Sequence, residues 1–151
     1  MYRWQRRSIH VLGGLTKVPK GELPAVGTCA EIHHTFTSND VENFAQLTGD
    51  TNPLHLDPIF CTKTQFKKPI VHGILCTSLF PTIFGATLPG SIYVSQSIRF
   101  KKPIYVNEPL QIRIEVTQVK ERMRLVICNT ECFNAQGEVA ITGQANVLLP
   151  K

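Results

Sequence analysis

The first clear pattern of apolar and polar positions along the chain is helical. Apolar side chains between positions 41 and 47 recur at the three- and four-residue spacing of one helix face. Thr37 and Ser38 offer N-cap side chains before this run, and Gly49 follows it, a residue type that often ends helices. The pattern predicts a helix over residues 38–48.

A second, more apolar helix is predicted over residues 70–86. It is apolar nearly all round, so we expect other elements to cover it on most sides. The segment between the two helices, residues 50–69, is predicted to be irregular. Its prolines, Pro53, Pro58 and Pro69, would interrupt any long element.

Strand-like runs make up most of the remaining chain. They cover residues 29–36, 92–100, 110–119, 123–133 and 139–149. Turn-forming residues separate the last four runs, which favours antiparallel pairing of neighbours. The pattern therefore predicts an α+β domain in which a curved antiparallel sheet of about five strands wraps around the long apolar helix.

Length and composition fit this prediction of one folded domain. The chain has 151 residues, of which 42% are hydrophobic and 18% charged, so it is globular rather than disordered. His72 and several glycines, prolines and hydroxyl residues interrupt its longest apolar stretch, so we predict no membrane span. The odd number of cysteines, five, with no CxxC pair, indicates free thiols in a reducing compartment.

The formal net charge of +5 is concentrated at one end of the chain. Residues 1–21 contain arginine and lysine but no acid, whereas the eleven other basic residues balance eleven acids in residues 22–151. A neutral body with no stripe of aromatic and basic residues argues against nucleic-acid binding.

The acid-free, arginine-containing start with interspersed apolar residues is typical of a mitochondrial transit peptide. We therefore predict a basic leader over residues 1–21, a folded domain over residues 22–151 and a location in the mitochondrial matrix. The alternative is a disordered basic tail.

Candidate chemistry lies just after the first predicted helix. Asp50 and His55 are two titratable groups five positions apart, and Asn52 and Pro53 between them favour a turn. Two such groups facing one small space can act as an acid/base pair. An ordinary capping aspartate followed by a turn is the simpler interpretation.

A second signal is the start of the apolar helix, PIVHGIL, with Gly73 near its N-terminus. A helix start presents backbone N–H groups that have no partner in the helix, and glycine leaves the approach to them open. The Gly73 N–H could polarise a carbonyl oxygen near the acid/base pair. The alternative is that Gly73 only allows close packing of helix and sheet.

These motifs resemble one family. FAQLTGDTNPLH (44–55), FKKPIVHG (66–73) and LPGSIYVSQSIRFKKPI (88–104) resemble the MaoC-like (R)-specific enoyl-thioester hydratases of the hot-dog fold. The likeness extends over roughly residues 30–149 and is greatest to the mitochondrial hydroxyacyl-thioester dehydratases of fatty acid synthesis. One departure is Cys61, where the family usually has alanine or serine.

The resemblance implies a hydro-lyase that interconverts (3R)-hydroxyacyl and trans-2-enoyl thioesters. Asp50 and His55 would transfer protons on one face of the substrate, Asn52 would hold the water, and the Gly73 N–H would stabilise the enolate-like oxygen. Which of Asp50 and His55 is the acid stays open, because coupled groups titrate as a pair. No metal or other cofactor is expected. A homodimer is expected, because one hot-dog unit leaves sheet edges open.

The substrate would be an acyl thioester of acyl carrier protein or coenzyme A. Two basic runs could contact its phosphate or an acidic carrier protein: Lys67, Lys68, Arg99, Lys101 and Lys102. Ordinary solvated lysines are an equally good interpretation. We expect His72 only to cap or pack at the helix start.

Two other function classes stay open at this stage. A thioesterase of the same fold would also use a carboxylate near a helix N-terminus, but would not explain Asn52 and His55 together. A non-catalytic module that binds acyl chains or RNA would use the cavity or surface without turnover.

Overall fold

The computed structural model describes residues 9–151, and within them six strands form one antiparallel sheet. The strands are β1 (Val11–Gly13), β2 (Cys29–Thr35), β3 (Ile92–Phe100), β4 (Pro109–Lys120), β5 (Leu125–Phe133) and β6 (Val139–Leu148). Their order across the sheet is β1-β2-β4-β5-β6-β3. The predicted α+β class is confirmed, with one strand more than expected.

Five α-helices accompany the sheet in this part of the chain. They are α1 (Ser38–Thr48), α2 (Pro53–Leu56), α3 (Pro58–Thr62), α4 (Gly73–Thr77) and α5 (Leu79–Thr87). Helix α1 has the predicted bounds. The Thr37 side chain accepts from the Asp40 N–H while the Asp40 carboxylate accepts from the Thr37 N–H, and Gly49 ends the helix with φ 80°.

The predicted long apolar helix is two consecutive helices, α4 and α5, that begin at Gly73 and are interrupted at Ser78. Pro81 gives the physical reason. It has no N–H to donate to the carbonyl four residues earlier, and its ring crowds that carbonyl. Helix α5 is nevertheless the buried centre of the fold, with Phe80, Ile83 and Phe84 at most 1% exposed.

The prediction of an irregular segment over residues 50–69 was wrong, because α2 and α3 lie within it. Pro53 and Pro58 each occupy the first turn of a helix, where a missing N–H costs nothing. Asn52 and Asp57 precede them as N-caps whose side chains accept backbone N–H groups. These prolines start helices rather than interrupt them.

The core lies between α5 and the inward face of the sheet. Ile112 and Ile114 are 0% exposed and alternate with Arg113 and Glu115 on the outer face, as the sequence alternation predicted. The sheet thus supplies a continuous apolar surface against which the central helix packs.

Part of the predicted leader belongs to this fold. Strand β1 pairs antiparallel with β2, from Val11 opposite Ile32 to Gly13 opposite Ala30, and Leu15 just after it is 0% exposed. The boundary at residue 21 therefore does not coincide with an edge of the fold. Residues 1–8 of the leader lie outside the described residues, and removal of a leader stays a prediction.

Among residues 9–151, no helix is both long enough and apolar enough to cross a membrane.

Candidate active site

A tight turn after α1 carries the predicted acid/base residues. Gly49 leaves α1 in the left-handed conformation, and Asp50 follows with its side chain 54% exposed. The Asn52 Oδ1 then accepts the Leu54 N–H at 3.1 Å, which starts α2 with Pro53 in its first turn. His55 lies in the same short helix. The simpler interpretation, a capping aspartate followed by a turn, is therefore correct for the turn but wrong for the cap: the capping side chain is Asn52, whereas the Asp50 Oδ1 accepts the Asn52 N–H within the turn. This cap also places His55.

The Asn52 Oδ1 accepts one hydrogen bond in the cap, and the amide NH2, which the cap does not use, could donate to a water molecule. The predicted role of Asn52 in holding water stays a prediction.

The environment of His55 determines which of its nitrogens can act as a base. Its Nδ1 lies 2.7 Å from the carbonyl oxygen of Ile70, and a carbonyl only accepts, so Nδ1 carries the hydrogen. The neutral ring therefore has its lone pair on Nε2. Burial lowers the pKa of His55 from its ordinary value of 6.5. The hydrogen bond to Ile70 raises this pKa, but by less than burial lowers it.

His72, which the sequence suggested only as a capping or packing residue, lies against this pair. It is 2% exposed, and its ring stacks on the His55 ring with centroids 3.7 Å apart and planes inclined by 28°. Its Nε2 donates to the backbone carbonyl of Asp50 at 3.0 Å. It occupies the N-cap position of α4, but its side chain makes no capping hydrogen bond there.

The turn and the start of α4 thus bring three titratable side chains together. One carboxylate oxygen of Asp50 and one ring nitrogen each of His55 and His72 lie within 4.8 Å of one another. This combination of groups could also bind a divalent cation. Two of the ring nitrogens, however, already donate to carbonyls, His55 Nδ1 to Ile70 and His72 Nε2 to Asp50. That the reaction needs no metal stays a prediction.

A cavity of about 390 Å³ is lined by both His55 and Gly73, but not by Asp50. Gly73 is the first residue of α4, so its N–H has no acceptor within its own helix. The packing interpretation of Gly73 also holds, because a Cβ there would lie 2.3 Å from Cε1 of Phe100. The absence of a Cβ at Gly73 therefore has two consequences: it makes room for the Phe100 ring and leaves the helix start open to the cavity.

The five basic residues predicted at the pocket are dispersed. Lys101 and Lys102 line the cavity, and Lys102 also pairs with Glu138 at 3.4 Å. Lys68 lines a second cavity of about 300 Å³, which also borders His55.

Lys68 is engaged by Glu108 and lies over the Tyr105 ring at 4.4 Å. Lys67 reaches the Thr62 carbonyl at 3.4 Å, and Arg99 lies on β3 opposite Thr142. Of the five, Lys101 and Lys102 line the cavity that His55 and Gly73 also line, and contact of any of them with a substrate stays a prediction.

Comparison with known proteins assigns the family. Residues 24–134 match the family described as MaoC like domain. The chain belongs to this family. It is 43% identical to the (R)-specific enoyl-CoA hydratase of Aeromonas caviae over 127 residues, and the matched residues make up 83% of this chain and 95% of that protein. It is 35% identical over 147 residues to the mitochondrial 3-hydroxyacyl-[acyl-carrier-protein] dehydratase of Arabidopsis thaliana, covering 95% and 89% respectively.

Solved structures confirm the fold of this MaoC-like chain. The (R)-hydratase of A. caviae, described as involved in PHA biosynthesis, superposes with a TM-score of 0.81 at 43% identity, over 84% of this chain and 98% of that one. The predicted hot-dog domain is therefore confirmed. The enzyme class predicted from the motifs, a hydro-lyase, is confirmed by these hydratase and dehydratase relatives.

Proposed function

We propose that this MaoC-like hydro-lyase catalyses the reversible dehydration of (3R)-hydroxyacyl thioesters to trans-2-enoyl thioesters. The observation that carries the proposal is the placement of His55: Ile70 holds its Nδ1, one of its ring nitrogens lies within 4.8 Å of an Asp50 carboxylate oxygen, and it lines a cavity that Gly73, the first residue of α4, also lines. The hydratase and dehydratase names of relatives that cover nearly all of the domain support the same reaction.

The protonation state of His55 suggests how the proton moves. In the hydration direction, the oxygen of water attacks Cβ while Nε2 takes one of its protons, and the electrons of the double bond move to the thioester oxygen. The electron pair then returns from the thioester oxygen, so that the C=O bond forms again and Cα takes a proton from the His55 imidazolium on the same face. Dehydration is the reverse, and the Asp50 carboxylate would orient the water and stabilise the imidazolium.

The thioester oxygen gains negative charge in this sequence of steps. The Gly73 N–H at the start of α4 would stabilise that charge, since it lacks an intrahelical acceptor and borders the cavity. A donor of this kind helps most when it binds the enolate-like oxygen more tightly than the ground-state carbonyl.

We further propose that the natural substrates are carried on acyl carrier protein in mitochondrial fatty acid synthesis. The basic, acid-free residues 1–21 support a mitochondrial location, as do the plant relatives named as mitochondrial acyl-carrier-protein dehydratases. Lys101 and Lys102 at the cavity supply positive charge for a phosphopantetheine phosphate or an acidic carrier protein.

This carrier assignment predicts a selective defect. Lys101→Glu with Lys102→Glu should raise KM for a carrier-protein substrate more than KM for crotonyl-CoA, because the carrier presents a larger acidic surface. Lys120→Glu with Arg122→Glu is the control matched in charge, because both residues are exposed and line neither cavity. Wild-type KM for the carrier substrate in the double variant would contradict the assignment.

We propose that the protein is a homodimer. Strand β3 ends the sheet and exposes Ile92, Val94 and Phe100, which are between 53% and 61% exposed. An apolar edge strand of this length is a surface that proteins normally cover. Light scattering of the purified protein measures the mass directly, and a monomer at micromolar concentration would contradict the proposal.

The deciding experiment for the function follows crotonyl-CoA hydration by loss of absorbance at the enoyl-thioester band, with the chirality of the product determined. Formation of (3R)-hydroxybutyryl-CoA is the expected result. Release of free thiol without that product would show a thioesterase instead, and binding without turnover would show a binding module.

A further inference from the structure

His72 contacts both members of the acid/base pair from the interior of the protein. Its side chain is 2% exposed, stacks on His55 and donates to the carbonyl of Asp50. The Phe44 ring packs on it with centroids 4.9 Å apart. His72 is therefore held from several sides, whereas the Asp50 side chain is more than half exposed.

The bond from His72 anchors a turn that is otherwise held only locally. Among the described residues, the other hydrogen bonds of residues 49–52 join positions within four residues of one another along the chain. The His72 Nε2–H···O=C bond of 3.0 Å instead connects this turn to α4, 22 residues further along the chain. Within residues 9–151, this bond ties the Asp50 backbone itself to the helix start, whereas Ile70 holds the adjoining helix α2 through Leu54 and His55.

A histidine at position 72 carries an energetic cost of burial that an aromatic hydrocarbon side chain would avoid. The Nδ1 of His72 is buried and has no hydrogen-bond partner among the described residues. An unsatisfied buried acceptor is unfavourable, and an aromatic hydrocarbon ring of similar size would not have one. The presence of histidine is therefore better explained by its other nitrogen, the donor to Asp50.

We propose that His72 is a positioning residue that fixes the separation of Asp50 and His55, by holding the Asp50 backbone with its Nε2–H and supporting the His55 ring by stacking. It does not touch the reacting atoms. The kinetic part of this proposal rests on the proposed hydratase function, whereas its structural part does not.

Three variants separate the two contacts. His72→Gln keeps an amide N–H near the position of Nε2, so it retains the bond to Asp50 without the ring. His72→Asn is a matched amide whose N–H falls near Nδ1 instead, so it loses that bond. His72→Phe retains a ring that can stack on His55 but has no donor.

The first readout is kinetic, with crotonyl-CoA. We expect kcat of the Asn and Phe variants to fall about 100-fold, as expected when a reacting group is displaced by about 1 Å, while KM changes less than about threefold. The kcat of the Gln variant should be at least about tenfold higher than that of the Asn variant, because the Gln variant keeps the hydrogen bond to Asp50. Equal kcat in the Gln and Asn variants, or a wild-type kcat in the Phe variant, would overturn the proposal.

The second readout is amide hydrogen exchange of the peptide that spans residues 49–55, which needs no activity. Loss of the anchor in the Asn and Phe variants should speed exchange in this peptide, and the Gln variant should resemble the wild type. Unchanged exchange in all three variants would refute the anchoring role. An inactive wild type would contradict the proposed function alone, because the exchange result still tests His72.

Discussion

Replacement of Asp50 and His55, singly and together, tests whether they act as one unit. General acid–base groups contribute about 10²- to 10⁴-fold each, or about 3–5 kcal/mol of transition-state stabilisation. The polar atoms of the two residues lie within 4.8 Å of each other, so each can orient the same water molecule. We expect Asp50→Asn and His55→Ala each to lower kcat by about 10²- to 10⁴-fold.

The double variant should be far less impaired than the product of the two losses. Once one group is missing, the other no longer has a complete proton path to support. The kcat of the double variant should therefore lie at most about tenfold below that of the less active single variant. The assay is crotonyl-CoA hydration, followed at the enoyl-thioester band, with enough enzyme to measure the residual rate.

Stability measurements keep the kinetic result interpretable. Asp50 is 54% exposed and asparagine has the same shape, so its replacement should change the free energy of unfolding by about 0.5 kcal/mol or less. His55→Ala loses the 2.7 Å bond to the Ile70 carbonyl and should cost about 0.5–1.5 kcal/mol from that bond. Full activity in either single variant, or a fully multiplicative loss in the double variant, would refute the reasoning.

Three further outcomes follow from the structure. Because burial lowers the pKa of His55 and Nε2 must be unprotonated to accept a proton, kcat/KM for hydration should rise with pH, and the acidic limb should have its midpoint below 6.5. Gly73→Ala should impair turnover because its Cβ would lie 2.3 Å from the Phe100 ring, and Phe100→Ala should restore activity in that background. Leu15→Ala should lower the free energy of unfolding by about 2–5 kcal/mol, whereas Leu12→Ala, at a position 52% exposed, should have little effect.

Each of these outcomes has a clear contrary result. An acidic limb centred above pH 6.5 would exclude His55 as the unprotonated group. If the double variant Gly73→Ala, Phe100→Ala is no more active than Gly73→Ala, the close approach of the ring is not the cause. Equal urea midpoints for the two leucine variants would show that the segment after β1 contributes little to stability.

The elements with local signals were predictable from sequence. Helix α1 has a capping box at one end and Gly49 at the other, and all of these signals lie within the helix or beside it. The prolines were misleading, because one residue type can end a helix or begin it, depending on whether its missing N–H is needed. Pro53 begins α2, and Pro81 interrupts the central helix.

The sequence by itself determined the family, because residues 24–134 carry enough of its pattern to match it, and it predicted Asp50, His55 and Gly73 as the residues of the site from their types and spacing. Only the tertiary structure showed the contacts of His72 with Asp50 and His55, which lie 22 and 17 positions away along the chain. Only the fold, likewise, made Leu15 a core residue within a charged segment. Hydrophobic burial and stacking depend on which distant surfaces meet, and no local spacing of residues records that.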